Sequence, residues 1–161
     1  MVTDVCAQVS VIKSQYFDRI NVWFSGSVMS KIKSLVIVTD AWFPQVNGVV
    51  RTLSTTKAEL EKKGYQVAVI SPDGYRSVPC PTYPEIRLAL FANKAVAKRL
   101  SSLRPDAVHI ATEGPLGLAA RRWCRKNRFP FTTSYHTRFP EYVRLRAPIP
   151  ISWSYTFLRW F

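Results

Sequence analysis

Asn47-Gly48 is the pair with the plainest chemical use in this chain. It stands between Leu35–Val38, a run (LVIV) that reads as a strand buried on both faces, and a segment where Val49, Leu53, Thr56 and Leu60 recur at helical spacing. A helix starting here aims free N–H groups and the positive end of its dipole past the end of the strand, an arrangement that attracts phosphate. With no Cβ at position 48, a phosphate or a sugar can come close to the backbone. The pair alone is equally an ordinary strand-to-helix turn, since the chain has neither a GxGxxG nor a P-loop pattern.

Other residues with chemistry in them sit where further strands end. His136 lies in TTSYHTRFPEY just past a strand pattern, with Arg138 beside it. Glu113, in Thr112-Glu113-Gly114, is suited either to hydrogen bonding sugar hydroxyls or to capping the helix that follows. Asp40 leaves the first strand, and Arg51 lies in the first turn of the helix after Gly48. His109 falls inside the strand pattern AVHIA and reads as a satisfied core histidine. Two histidines without matching carboxylates or thiols make no metal site, and no nucleophile elbow is present for a Ser-His-Asp arrangement.

The elements that must position these residues follow in order. After the first strand and helix, with a stop at Gly64, come a strand over Gln66–Ile70 and a turn at Ser71–Gly74. Residues 77–84 hold three prolines and are expected to be loop; 85–90 is a third strand. Asn93 is expected to cap a helix running through Leu103, with Val96, Leu100 and Leu103 on one face. Strands over 107–111 and 131–135 flank a helix that starts near Pro115. Strand alternating with helix predicts an α/β fold, a Rossmann-like doubly wound parallel sheet; if its order is 3-2-1-4-5, the first and fourth strands are neighbours. Ligands of such sheets bind beyond the carboxyl ends of the strands at the switch point, here between the first and fourth. Residues 40–48, 112–114 and 136–138 converge there, which is better evidence for a site than any one motif. Residues 1–28 lack sustained periodicity and read as an N-terminal extension, non-native or disordered, ahead of a domain over 29–161; an extra helix over 11–23 is the alternative.

The 161 residues suffice for one domain, and the formal charge of +13 calls for an anionic partner. Nine basic residues stand against Glu141 alone from Arg121 to Phe161. Arg121, Arg122, Arg125 and Lys126 share a helix with Trp123, which is either a solvated face or a surface for anionic lipid with the Trp at headgroup level. No RNP or KH pattern supports RNA, so no nucleic acid is expected. Cys6, Cys80 and Cys124 are odd in number and scattered, indicating neither disulfides nor zinc. No secretory signal and no spanning run is evident, so the expected location is cytoplasmic, peripheral on the inner face of the membrane.

Four blocks in order, VTDAWFPQVNGVVRTL, SPDGYRSVPCPTYPEIRLAL, HIATEGPLGLAARRWC and FTTSYHTRFPEYVRLR, resemble the N-terminal domain of retaining glycosyltransferases of family 4. The likeness is greatest to bacterial GDP-mannose-dependent α-mannosyltransferases and to sulfoquinovosyl- and digalactosyl-lipid synthases. It covers about 33–161 and implies the acceptor-side half of a two-domain GT-B enzyme. The donor phosphates of GDP-mannose or a UDP-sugar would reach Asn47, Gly48 and Val49, and His136 would contact the transferred hexose. Asp40, Arg51, Glu113 and Arg138 would serve the acceptor or the sugar, a lipid or a glycan. The resemblance implies no cofactor and no bound metal. The donor-binding domain and its paired glutamates do not appear before Phe161, so the chain alone is expected to be inactive. The alternative is a non-enzymatic basic module, derived from a truncated transferase, for anionic membrane or nucleic acid.

Overall fold

Val36, Ile37 and Val38 are almost wholly buried, which makes their strand the hub of the sheet; burying each contributes roughly 1.5–3 kcal/mol. The structure, a computed structural model, describes residues 32–80 and 83–134 together with Thr156 and Trp160. The expected extension over 1–28 lies outside the described residues. In chain order the elements are β1 Ser34–Val38, α1 Gly48–Lys62, β2 Gln66–Ile70, β3 Ser77–Cys80, β4 Tyr83–Ala89, α2 Ala92–Leu103, β5 Ala107–Ile110, α3 Pro115–Lys126 and β6 Phe131–Thr133.

Strands β2-β1-β5-β6 form one sheet, and each of its neighbouring pairs is parallel. Successive side chains of a strand point to opposite faces. Val36, Val38 and Ile70 accordingly pack with Val96 and Leu100 of α2 and Leu116, Ala120 and Cys124 of α3. Ile37 and Val67 pack on the other face with Leu53 of α1. Helices on both faces of a parallel sheet are the doubly wound, Rossmann-like arrangement that the alternating pattern predicts. The amino end of β1 is pinned by Asp106, whose Oδ2 accepts hydrogen bonds from the N–H of Lys33 (2.9 Å) and of Ser34 (2.8 Å).

Three expectations are corrected. Residues 77–84 are not all loop: β3 pairs antiparallel with β4 in a separate two-stranded sheet, with Pro79 opposite Arg87. Both strands of such a hairpin are edges, where a proline's missing N–H is tolerated. The 85–90 segment therefore belongs to this hairpin and not beside β2, so the order is not 3-2-1-4-5. Nor does Asn93 cap α2; Phe91 stands at the cap in the left-handed region (φ 53°, ψ 29°) with no side-chain cap bond. The N–H of Leu90 still donates to the Arg76 carbonyl of the hairpin, so a single residue must turn the chain into the helix. The helix stop at Gly64 stands: its φ is +86° and the Tyr65 N–H reaches back to the Leu60 carbonyl. On α1 the buried positions are Val50 and Leu53, with Val49 and Leu60 partly buried beside them, so the apolar stripe is broader than spacing alone suggested.

Candidate functional site

Strands β1 and β5 lie side by side, with β2 beyond one and β6 beyond the other, so the switch point falls between them. Their outgoing loops meet there through Thr112, whose hydroxyl accepts from the Asp40 N–H (2.7 Å) and donates to Asp40 Oδ2 (2.9 Å). Asp40 Oδ1 accepts the Leu116 N–H at 3.0 Å, inside the first turn of α3. On the other side Gln45 Nε2 donates to the Asp40 carbonyl (3.3 Å), and Asn47 Nδ2 donates to Gln45 Oε1 (3.1 Å). Asn47 Oδ1 accepts the Val50 N–H at 3.0 Å and so caps α1. One hydrogen-bonded line, Asn47 to Gln45 to Asp40 to Thr112 and Leu116, thus couples the starts of both helices. Sequence reasoning missed Gln45, a loop residue with no pattern around it. Thr112 carried a signal, a threonine between strand and helix.

Asp40 is placed differently from the ligand-facing role expected of it. It is 4% exposed, and both carboxylate oxygens are taken up by the turn into α3. Burial pushes its carboxyl above the ordinary value, against the pull of the Leu116 and Thr112 hydrogen bonds. Gly114 exists for this contact, because a Cβ there would lie 2.4 Å from Asp40 Cγ. Glu113 is half-buried at the carboxyl end of β5; its carboxyl is raised by burial and further by the charge of Asp40.

Gly48 has an unusual setting. It is exposed, lies outside the left-handed region, and a Cβ built on it meets nothing within 4 Å. Neither backbone strain nor packing calls for glycine here. Val49 is half-buried behind it, Arg51 is exposed, and no acidic residue occupies the first turn of α1. Val46, one residue before the cap, is 99% exposed.

His109 is a core histidine, as expected: Nδ1 lies 2.8 Å from Thr132 Oγ1 and Nε2 3.1 Å from Ser134 Oγ. His136 and Arg138 lie outside the described residues. Burial raises the Cys124 thiol to about 11, which leaves it unreactive at neutral pH. Among the described residues no three His, Cys, Asp or Glu side chains gather as metal ligands, and no helix is long and apolar enough to cross a membrane.

The basic face is real but differs in its aromatic. Arg122, Arg125 and Lys126 are exposed, joined on neighbouring α2 by Lys94, Lys98 and Arg99, and neither helix carries an acid. Arg121 instead stacks its guanidinium 4.1 Å over the Trp160 ring and donates to the Trp160 carbonyl. Trp123 is turned inward: its indole N–H donates to Ser101 Oγ (3.1 Å) and its ring packs on Phe129. It does not stand out as a headgroup anchor.

The family model described as Glycosyltransferase Family 4 matches residues 46–161. Over 124 residues the chain is 30% identical to the alpha-monoglucosyldiacylglycerol synthase of Streptococcus pneumoniae, covering 69% of this chain and 28% of that protein. It is 32% identical over 125 residues to the protein of the same name from Acholeplasma laidlawii, covering 66% and 30%. With the GDP-mannose-dependent alpha-mannosyltransferase of Mycobacterium tuberculosis it shares 28% identity over 127 residues, covering 68% and 33%. The chain thus spans about a third or less of these relatives. No solved structure gives a significant match.

Proposed function

The chain belongs to glycosyltransferase family 4, matched over residues 46–161, and from that premise we propose that it is the acceptor-side half of a retaining hexosyltransferase. In this reading it acts together with a donor-binding half, taking a hexose, mannose foremost, from GDP-mannose or a UDP-sugar to a lipid or glycan acceptor. The observation that carries the reading is Gly48. A glycine that neither conformation nor packing requires, at the open N-terminus of a capped helix, makes sense if something outside the domain comes close to it. The donor diphosphate fits, because the helix N–H groups and dipole meet its charge. Arg51, one helical turn on, adds a positive charge, and the Val49 N–H belongs to the first turn of the helix, whose N–H groups have no partner within the helix. Glu113, half-buried just past the carboxyl end of β5, would accept from a sugar or acceptor hydroxyl. His136 and Arg138 follow β6 in sequence and take their proposed contact with the transferred sugar from the family resemblance. The reaction as proposed draws on no cofactor and no bound metal.

The test joins this chain to the donor-binding half of a family 4 relative and measures hexose transfer. Gly48→Ala separates the structural from the functional role. Alanine at a compatible position lowers the entropy of the unfolded chain, so stability should hold or rise by about 0.4–1 kcal/mol. Donor KM should rise, because the new methyl occupies the phosphate approach. A stabilised variant with unchanged donor KM would remove the loop from the site.

A lipid acceptor would put the enzyme on a membrane, and α2 with α3 offers the surface. We expect the chain to sediment with anionic vesicles, each basic residue near the lipid contributing about 1 kcal/mol. Binding should fade as salt shortens the Debye length from about 10 Å at 0.1 M to about 3 Å at 1 M. Replacing Arg122, Arg125 and Lys126 with Gln should remove most of it, whereas Trp123→Phe should matter little because that ring is turned inward. Equal binding to neutral vesicles would mark the face as merely solvated.

A further inference from the structure

Beside the switch point, and separate from the helix start at Gly48, an open cleft of about 380 Å³ lies beyond the carboxyl ends of β1 and β2. Trp42 and Phe43 from the β1–α1 loop line it, facing Tyr75 and Asp73 from the turn after β2, with Arg87 of β4 also contributing. The walls are held from behind. Gln45, also lining it, is buried and tied to the Asp40 carbonyl and to Asn47. The turn bearing Asp73 and Tyr75 is closed by the Tyr75 N–H on the Pro72 carbonyl, with Gly74 at φ +79° where a side chain would be strained. Arg87 is fixed by two bonds to Ser77, from Nε to Oγ (3.1 Å) and from Nη2 to the carbonyl (2.9 Å), and still has donors to spare.

The chemistry of the lining is mixed. The Trp42 and Phe43 rings meet edge to face, with centroids 5.5 Å apart, and Phe43 is 57% exposed, so aromatic surface is presented to solvent. A fatty chain would have no use for a fixed guanidinium and a carboxylate. A phosphate would gain from Arg87 but be repelled by Asp73. A pyranose ring uses both parts: its C–H face lies on an aromatic ring while its hydroxyls donate to a carboxylate and accept from a guanidinium. A concave site of this size, mostly apolar with a few placed polar groups, is the form small-molecule sites take.

We propose that the Trp42–Tyr75–Arg87 cleft is a subsite for a neutral hexopyranose, the sugar headgroup of a glycosylated acceptor. The acceptor assignment rests on the transferase reading above; the sugar binding does not. The cleft therefore favours an acceptor that already carries a sugar, so that the enzyme extends a glycan chain.

Saturation-transfer NMR of the 161-residue chain with methyl α-D-glucopyranoside tests it. Saturable binding is expected, with Kd raised about tenfold by Trp42→Ala, by Arg87→Gln and by Asp73→Asn. Trp42 packs partly against the core, so the exposed pair Arg87 and Asp73 keeps the test valid if Trp42→Ala fails to fold. Phe91→Ala, on the turn into α2, should leave binding unchanged. An absence of saturable binding, equal affinity in the Arg87 and Asp73 variants, or displacement by inorganic phosphate would overturn the proposal. In the joined enzyme, Arg87→Gln should raise acceptor KM and leave donor KM unchanged; an unchanged acceptor KM overturns the acceptor assignment. A joined enzyme that transfers no hexose while the glucoside still binds would sink the transferase reading and leave the sugar site standing.

Discussion

Gly117→Ala should destabilise the domain by about 3 kcal/mol, although alanine is the better helix former by about 1 kcal/mol. Gly117 is the third residue of α3, buried against the end of β5. A Cβ there would lie 1.9 Å from the Thr112 carbonyl oxygen and 3.1 Å from Ile110 Cγ2. The first of these is backbone, and the Asp40 hydrogen bonds fix the loop that bears it, so neither partner can turn away. Relief requires α3 to move off the sheet, which would open the packing of Leu116 and Ala120 and pull the Leu116 N–H from Asp40. A folded domain commonly has only about 5–15 kcal/mol to lose. Urea denaturation of the variant should show a lower midpoint at an unchanged slope. Gly48→Ala, with open space around it, is the internal control and should move the other way or not at all. If both glycines tolerate alanine equally, the close approach of α3 to the 112 loop is not what holds the switch point.

The contrast between these glycines marks what could be read from sequence and what could not. Strands β1, β2 and β5 announced themselves because they lie between helices on both faces and so are largely apolar, with His109 the polar residue inside β5. Gly64 announced the helix stop, since a left-handed residue there is a local need. His109 was legible as a core residue because it sits inside a strand pattern; its partners Thr132 and Ser134 came only with the pairing of β5 and β6. The hairpin was hidden by Pro79, because proline argues against a strand until the strand is known to be an edge. Phe91 at a helix cap was illegible, since nothing local favours it there; the position follows from where the hairpin lets go of the chain. The location of the candidate site could be read from loop order alone. Its internal division of labour could not, because Asp40 and Leu116 are seventy-six positions apart in the chain and only the register of β1 on β5 brings them together. The Trp42–Arg87 cleft was missed for the same reason, with walls drawn from two loops and a hairpin.

Asp40 gives the second large effect, and its size depends on pH. Asp40→Ala should cost about 2–4 kcal/mol, since it leaves the buried Leu116 N–H at a helix start without an acceptor and frees the Thr112 hydroxyl. Asp40→Asn keeps the shape and one acceptor oxygen, and it removes the charge. Burial raises the Asp40 carboxyl above its ordinary value of 3.8, so the native state holds that proton more tightly than the unfolded chain does. A raised carboxyl makes stability fall as pH climbs from the unfolded value through the folded one, and the loss is then constant at higher pH. Glu113 is shifted in the same direction from 4.5, so it steepens the same decline. Asp106 works the opposite way: its backbone hydrogen bonds hold it below 3.8, and the stability it provides is lost only in stronger acid. Comparing Asp40→Asn with the parent at each pH isolates the Asp40 contribution. The asparagine variant should gain on the parent as pH rises above 3.8 and level off once Asp40 is ionised in both states. Chemical denaturation across that range, read as the difference in midpoint at equal slope, measures it. A difference that stays flat with pH would mean the donors around the carboxylate fully offset its burial. In that case the turn into α3 holds a charge at no cost, and the link between the two helix starts is electrostatic as well as geometric.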